Sequence, residues 1–431
     1  MASHSDFPTT IPFRTLPRIP GGALGLAALL VVIGAIAAFV GAGYEDHGRV
    51  WSALLFNWLF WSSLAMGMVM FAVALQLTDA DWSWSIRRFA LGGVAFLPIS
   101  ALLLPVVFLG SEHFFHHWLH VEGDHVIDAK RAWLNLPGMM ARDFAAVLVL
   151  YGAAVLFAYH SLRPDVHGAG NDDHQRSWYR RLTGGWSGSA LDEARRSRQK
   201  LMKLGVFMGL AYAILWGIIA IDLAMSLDPH WFSTMFPVAF FFTGFHGGVA
   251  ATGIAVALLR RRVGIEPFVT GRQWHDLGKL IFGFSVFWMY LNWSQYIVIW
   301  YGLLPFEQKY FINRFKDPFG PISAAVVAMV FVTPFFGLLT RPPKRVPAIV
   351  AVFATIILLG HWLERFLLIV PSLHEGKDLP LGIPEIGIGL GFLGLFLVAY
   401  LWFVRTFPML PSPATLAAGE PAVVTVPVAG D

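Results

Sequence analysis

Long apolar runs alternate with short polar stretches along the whole chain. Runs of about twenty residues or more, enough to cross ~30 Å of hydrocarbon, fall at 22–42, 51–77, 87–109, 136–161, 202–226, 233–259, 274–301, 319–340, 346–370 and 383–405. Backbone N–H and C=O groups in lipid must be satisfied within the segment itself, and no alternating barrel pattern is present, so each run predicts a spanning helix. The expected fold is an all-α polytopic membrane protein with ten transmembrane helices. A polar, proline-spaced segment 1–21 precedes the membrane domain 22–405. The first run is too long for a signal-peptide core and reads as a retained helix. The tail 406–431, rich in Ala, Pro and Val after Pro411, shows no helical pattern and is expected to be disordered.

Composition agrees with the pattern. Of 431 residues, 56% are hydrophobic and 13% charged, against about 25% charged in soluble domains. The chain has no cysteine. That excludes disulfides, thiolate-ligated iron–sulfur clusters, thiolate zinc sites and haem attached through a CxxCH motif. No stretch suggests nucleic-acid binding. With the N-terminus taken as cytoplasmic, the inner segments hold 21 Lys and Arg, the outer loops 7, and helices the remaining 3. The positive-inside rule then predicts cytoplasmic termini. The basic loop 162–201 suits contact with anionic lipid headgroups.

Ionisable residues inside spans are the candidates for chemistry. Asp222 lies about one turn from the outer end of the fifth run and has no obvious partner on its own helix. His246 lies mid-way along the sixth, among glycines. The seventh run opens with His275, Asp276 and Lys279 and carries Tyr290 further on. The ninth carries His361, Glu364 and Arg365, and the fourth Arg142 and Asp143. Bland readings stand beside each: a snorkelling lysine at the inner edge, a register-holding Glu364–Arg365 pair, and a packing contact at His246. Together they place groups that gain and lose protons at the inner edge, the middle and the outer half, which is what a proton path requires. No catalytic residue or metal ligand is assigned. A bis-histidine haem would have only His246 and His361, without a repeated small-residue groove around both. The outer SEHFFHHWLH stretch (111–120) reads as an amphipathic interfacial segment rather than a metal site.

Between the fifth and sixth runs the chain reads SLDPHWFSTMF (226–236). Asp228 before Pro229 is expected to start a turn, Ser233 or Thr234 to cap the next helix, and Trp231 and Phe232 to sit at headgroup level. This stretch, HDLGKLIFGFSVFW (275–288) and WSQYIVIWY (293–301) together resemble the F subunit of bacterial alternative complex III, a membrane quinol:electron-acceptor oxidoreductase. The likeness covers about 201–372. One departure follows: YGLLPFEQKYF carries a single acid, Glu307, where the family usually has an acidic pair.

The resemblance implies a fold like the polysulfide-reductase membrane chain (NrfD-like), with helices 2–5 (about 51–226) and 6–9 (about 233–370) as two bundles and helices 1 and 10 outside. It implies no redox centre in this chain, and a role in supporting the complex and conducting protons. The quinol or menaquinol site would lie mainly in the paralogous C subunit, with iron–sulfur clusters and haem c on partner subunits. Two alternatives stay open. One is a quinone-binding anchor using Asp222, Tyr290 and His361. The other is a stand-alone secondary transporter.

Overall fold

The computed structural model describes residues 10–419 except 45, 47, 375 and 377. Among the described residues it is all-helical, with nine helices long and apolar enough to cross a membrane. They are α1 (Gly21–Ala42), α2 (Gly48–Leu77), α3 (Arg87–Phe108), α4 (Leu136–Val166), α5 (Ala190–Leu227), α6 (Phe236–Val263), α8 (Gly320–Gly337), α9 (Pro347–Leu373) and α10 (Ile383–Thr406). The seventh predicted span is also a helix, α7 (Gly271–Gly302), and its 32 residues are long enough to cross. It is absent from the nine because charged residues crowd its start and Trp, Tyr, Asn and Gln its second half, which lowers its hydropathy.

Helix α2 is the hub. It is 94% buried over its most apolar stretch and packs against α3, α5, α6, α9 and α10. Small residues permit its approach to α6. A Cβ on Gly67 would lie 1.9 Å from the Gly244 carbonyl oxygen, and one on Gly248 would lie 2.2 Å from the Gly67 backbone. In lipid, helices associate largely through such close packing, because burial in a neighbour gains little over burial in acyl chains. Helices α1 and α10 pair in the same way. A Cβ on Gly34 would meet the Cα of Gly391 at 2.4 Å.

Several local expectations are corrected. Helix α5 begins at Ala190, inside the stretch read as a basic loop, because Ser189 and Asp192 form a capping box that satisfies free N–H groups at the helix start. The loop before it also holds a helix, Asp173–Leu182, capped by Asp172. The tail segment contains a one-turn helix, Pro413–Ala417, capped by Ser412. Ser412 N–H donates to Asp165. The remainder of the predicted tail, 420–431, and residues 1–9 of the N-terminal segment lie outside the described residues.

Candidate functional site

Three helices build one buried polar cluster from pairs of residues three apart. Helix α6 gives Thr243 and His246, α7 gives Ser285 and Trp288, and α9 gives His361 and Glu364. Residues three apart lie on one face of a helix, one turn above another. Helix α9 runs antiparallel to α6, so Thr243 meets Glu364 while His246 meets His361. The His246 and His361 rings lie at right angles, 5.0 Å apart at their centroids, with 3.1 Å between Nδ1 of His246 and Nε2 of His361. His361 Nδ1 is 2.9 Å from Glu364 Oε2. The other carboxylate oxygen, Oε1, accepts from Thr243 Oγ1 at 3.1 Å and Trp288 Nε1 at 3.2 Å. At the far end Ser285 Oγ lies 3.5 Å from His246 Nε2. His246 is 0%, His361 1% and Glu364 8% exposed.

One assignment of protons satisfies every link. Ser285 donates to His246 Nε2, His246 Nδ1–H to His361 Nε2, and His361 Nδ1–H to Glu364. With a proton supplied to Ser285 as it gives up its own, reversing each bond carries one along the row to Glu364 without moving a heavy atom. The row runs from near the middle of α6 to Glu364, nine residues or about 14 Å from the Leu373 end of α9. The two imidazoles bond directly to each other, which is relay geometry.

Arg365 does not pair with Glu364. Its Nη2 donates to the Phe240 carbonyl at 2.9 Å, its guanidinium lies 3.7 Å from the Phe240 ring centroid, and its Nη1 has no partner. A cavity of about 390 Å³ opens beside Glu364 and Arg365. Its walls are aromatic, with Trp231, Trp288, Trp293, Tyr296, Tyr310 and Phe315 among them. Trp293 and Phe315 are exposed and form its rim.

The 226–236 stretch does more than turn. Trp231 is 3% exposed, and it stacks on Tyr310 at 3.7 Å and 6°. Asp228 accepts from Ser372 and from Arg314, at 3.3 Å for the latter. Arg314, on the helix Pro305–Phe315, also donates to the Tyr310, Leu367 and Leu368 carbonyls and lies 3.4 Å from the Tyr310 ring centroid. Burial pushes the Tyr310 hydroxyl up to about 12. On the other side, His230 bonds Asp124 at 2.8 Å and Lys130 Nζ donates to the Pro229 carbonyl at 2.6 Å. The Ile127 backbone N–H, and then His230, hold the Asp124 carboxylate below its usual range. Ser233 and Thr234 do not cap α6, which starts at Phe236 with Pro237 behind it. Ser233 instead donates to Gln295 at 3.2 Å. The loop therefore ties the 124–130 segment and the helix Pro305–Phe315 to the bundle and supplies one cavity wall.

The other sequence candidates lie elsewhere. Asp222 is fully buried and held by Arg142, at 2.9 and 3.1 Å, and by Trp133 Nε1 at 2.7 Å. Its partner comes from α4, which inspection of its own helix does not reveal. Next to Arg142, the Asp143 carboxylate is fully buried with neither oxygen bonded. Lys279 pairs with Asp276 at 2.6 Å, with the His275 ring 4.0 Å away. Tyr290 is 61% exposed, on the outward face of α7. None of these joins the His246–His361–Glu364 row through a described hydrogen bond. Among the described residues no group of three His, Asp or Glu is placed to hold a metal ion.

Thr243, Ser285, Trp288 and Arg314 escaped the sequence reading. The first three are common residues in spans, and only their three-residue spacing on three helices marks them. Comparison with known proteins adds no relative: the chain matches no protein-family model and no curated protein.

Proposed function

We propose that this chain is a proton-conducting membrane subunit of a quinol-oxidising electron-transfer complex, of the alternative complex III F-subunit kind. The buried row Ser285–His246–His361–Glu364 carries the reading. Ionisable groups inside a membrane are costly, and a bonded row of three with no opposing cation in direct contact is more than register-holding requires. Imidazole and carboxylate side chains are the groups that can take up and give up a proton, so a bonded row of them offers a path from one end to the other. The three sequence blocks named above supply the assignment to the family. In that assignment the clusters and c-type haem belong to partner subunits, and this chain contributes proton movement and support.

The outer-face loops suit such a partner. Arg314, Asp228, Tyr310 and Trp231 brace those loops against the bundle, and a redox subunit would rest on the loops' exposed residues. A stand-alone transporter would have a midplane substrate cavity between broken helices, whereas the cavity described above lies in the half of the bundle next to the 226–236 loop.

The test is purification of the tagged chain in mild detergent, with subunit mass spectrometry and a reduced-minus-oxidised spectrum. Copurifying c-type haem and an iron–sulfur subunit are expected. A lone, colourless and monodisperse chain would overturn the assignment.

A further inference from the structure

We propose that the groove between the α1–α10 pair and helices α6 and α9 holds an acyl chain of one anionic phospholipid, with the lipid's phosphate on Arg262 and Arg14. The inference goes beyond the proton row and does not rest on it.

The groove follows from how α10 packs. Gly34 and Gly391 draw α1 and α10 together, and α10 also rests on α2. A cavity of about 760 Å³ is left between that pair and the facing sides of α6 and α9. Its floor is the hub helix, through Phe60, Trp61, Leu64 and Met68, all buried. Its lips are Leu26 on α1, Leu258 on α6, Leu359 on α9 and Ile386 on α10, all exposed. The cavity therefore opens sideways, where acyl chains lie. Along α10 its lining runs from Ile386 to Leu401, a rise of about 22 Å.

The shaft suits a chain and little else. A void forfeits the dispersion contacts of every atom that lines it. One leaflet's chains span about 15 Å, half of the ~30 Å core, so the groove takes one over its whole length. A further helix about 10 Å across would need roughly 1,700 Å³ over that distance, more than twice the space. The polar wall groups are already spent. Thr355 donates to the Ala351 carbonyl, Trp362 to Asn57 and Tyr400 to the Phe89 carbonyl, while Trp61 Nε1 is buried out of reach. A polar ring finds no free N–H or O–H donor along the shaft.

The one charged residue of the lining stands at its end. Arg262 lies in the last turn of α6. It is exposed and, among the described residues, has no hydrogen-bond or ion-pair partner. Its neighbours Arg260 and Arg261 share Glu266, at 3.8 and 2.9 Å. The N-terminal segment brings a further guanidinium to this end. Leu16 N–H donates to the Val404 carbonyl and Met409 N–H to the Arg14 carbonyl, which straps the segment across the end of α10. The exposed Arg14 side chain then reaches α6: its Nε lies 3.8 Å from where a Cβ on Gly264 would stand, two residues after Arg262. Arg14, Arg260, Arg261 and Arg262 outnumber Glu266 at this mouth. Basic pockets between spanning helices suit anionic headgroups, and arginine grips phosphate through paired, charge-assisted hydrogen bonds. An apolar shaft alone would admit any greasy molecule, and a basic patch alone any anion. Joined end to end, they specify a phospholipid.

The experiment uses the full chain in detergent, within its complex if it purifies as one. After washing in detergent to remove lipid, dioleoylphosphatidylglycerol, dioleoylphosphatidylcholine and glycerol 3-phosphate are each titrated. Native mass spectrometry counts the molecules bound, and thermal unfolding reports their effect. One phosphatidylglycerol per chain should bind saturably and raise the melting temperature, with phosphatidylcholine about fivefold weaker or more. Arg262→Gln should weaken phosphatidylglycerol binding about fivefold, the worth of one arginine near an anionic headgroup. Leu393→Trp fills the shaft and should abolish retention of the lipid. Lys200→Gln, on α5 and outside the lining, should change nothing. Equal binding of the two lipids, glycerol 3-phosphate binding as tightly as the lipid, or unchanged affinity in a folded Arg262→Gln protein would overturn the proposal. So would a polypeptide or a quinone retained in the groove in place of the lipid.

Discussion

At the scale of single residues, burial sorts the acids by the company they keep. Asp222 and Glu364 both lie inside the bundle, yet only Asp222 has a full counter-charge. Its two oxygens meet Arg142 at 2.9 and 3.1 Å. Removing one partner of a buried pair leaves the other stranded at a cost of about 3–5 kcal/mol. Arg142 keeps a quarter of its side chain exposed, so the loss here belongs at the low end of that range. Asp222→Asn should therefore lower the melting temperature of the purified protein by several degrees while leaving proton movement unchanged. Thermal unfolding followed by light scattering and tryptophan emission measures the first part, and an unchanged melting temperature would contradict it. Asp222 was legible as a costly buried acid. Its partner was not, because Arg142 sits on a helix eighty residues earlier, and sequence spacing reports neighbours on one helix only.

At the scale of helices, the apolar runs were readable because lipid imposes one rule on every backbone group. Boundaries were missed where the residues that start a helix went unread. Ser189 extends α5 back to Ala190, and Pro237 sets the start of α6. The crossing of α2 and α6 depends on Gly67, Gly244 and Gly248. The glycines around His246 pointed to close packing, but their contact on α2 did not show in the pattern, since Gly67 is one small residue among many. Gly67→Ala would drive a methyl group into the Gly244 carbonyl, at 1.9 Å. The helices must then separate, and overpacking of this kind costs about 1–3 kcal/mol. A reduced yield of monodisperse protein in size-exclusion chromatography is expected. A yield equal to that of the unaltered chain would show that α2 and α6 do not cross this closely. Because Thr243, His246, His361 and Glu364 depend on the placing of α6, the same variant should also loosen the relay.

At the scale of the whole molecule, function arises from register. Three helices bring pairs three residues apart to one level, and the 226–236 loop closes the cavity above them. The sequence placed His246, His361 and Glu364 among its candidates, but it also grouped them with Asp222, Tyr290 and the His275–Asp276–Lys279 trio. The structure separates these sets. Facing directions of helices are fixed by tertiary packing, so no reading of single-helix patterns could divide them. The loop shows the same limit. Its turn residues were legible, whereas Asp228 reaching Arg314 eighty-six positions later was not.

The central claim is that Glu364 is the head of a working proton row. Glutamine keeps the size of the side chain and can still accept from Thr243 and Trp288, but it cannot take up a proton. The most direct measurement is quinol-driven proton release by the assembled complex in liposomes, comparing the unaltered chain with Glu364→Gln at equal subunit content. Loss of a positioned proton acceptor predicts release slowed about a hundredfold with assembly intact. Release at the original rate from an intact Glu364→Gln complex would contradict the account.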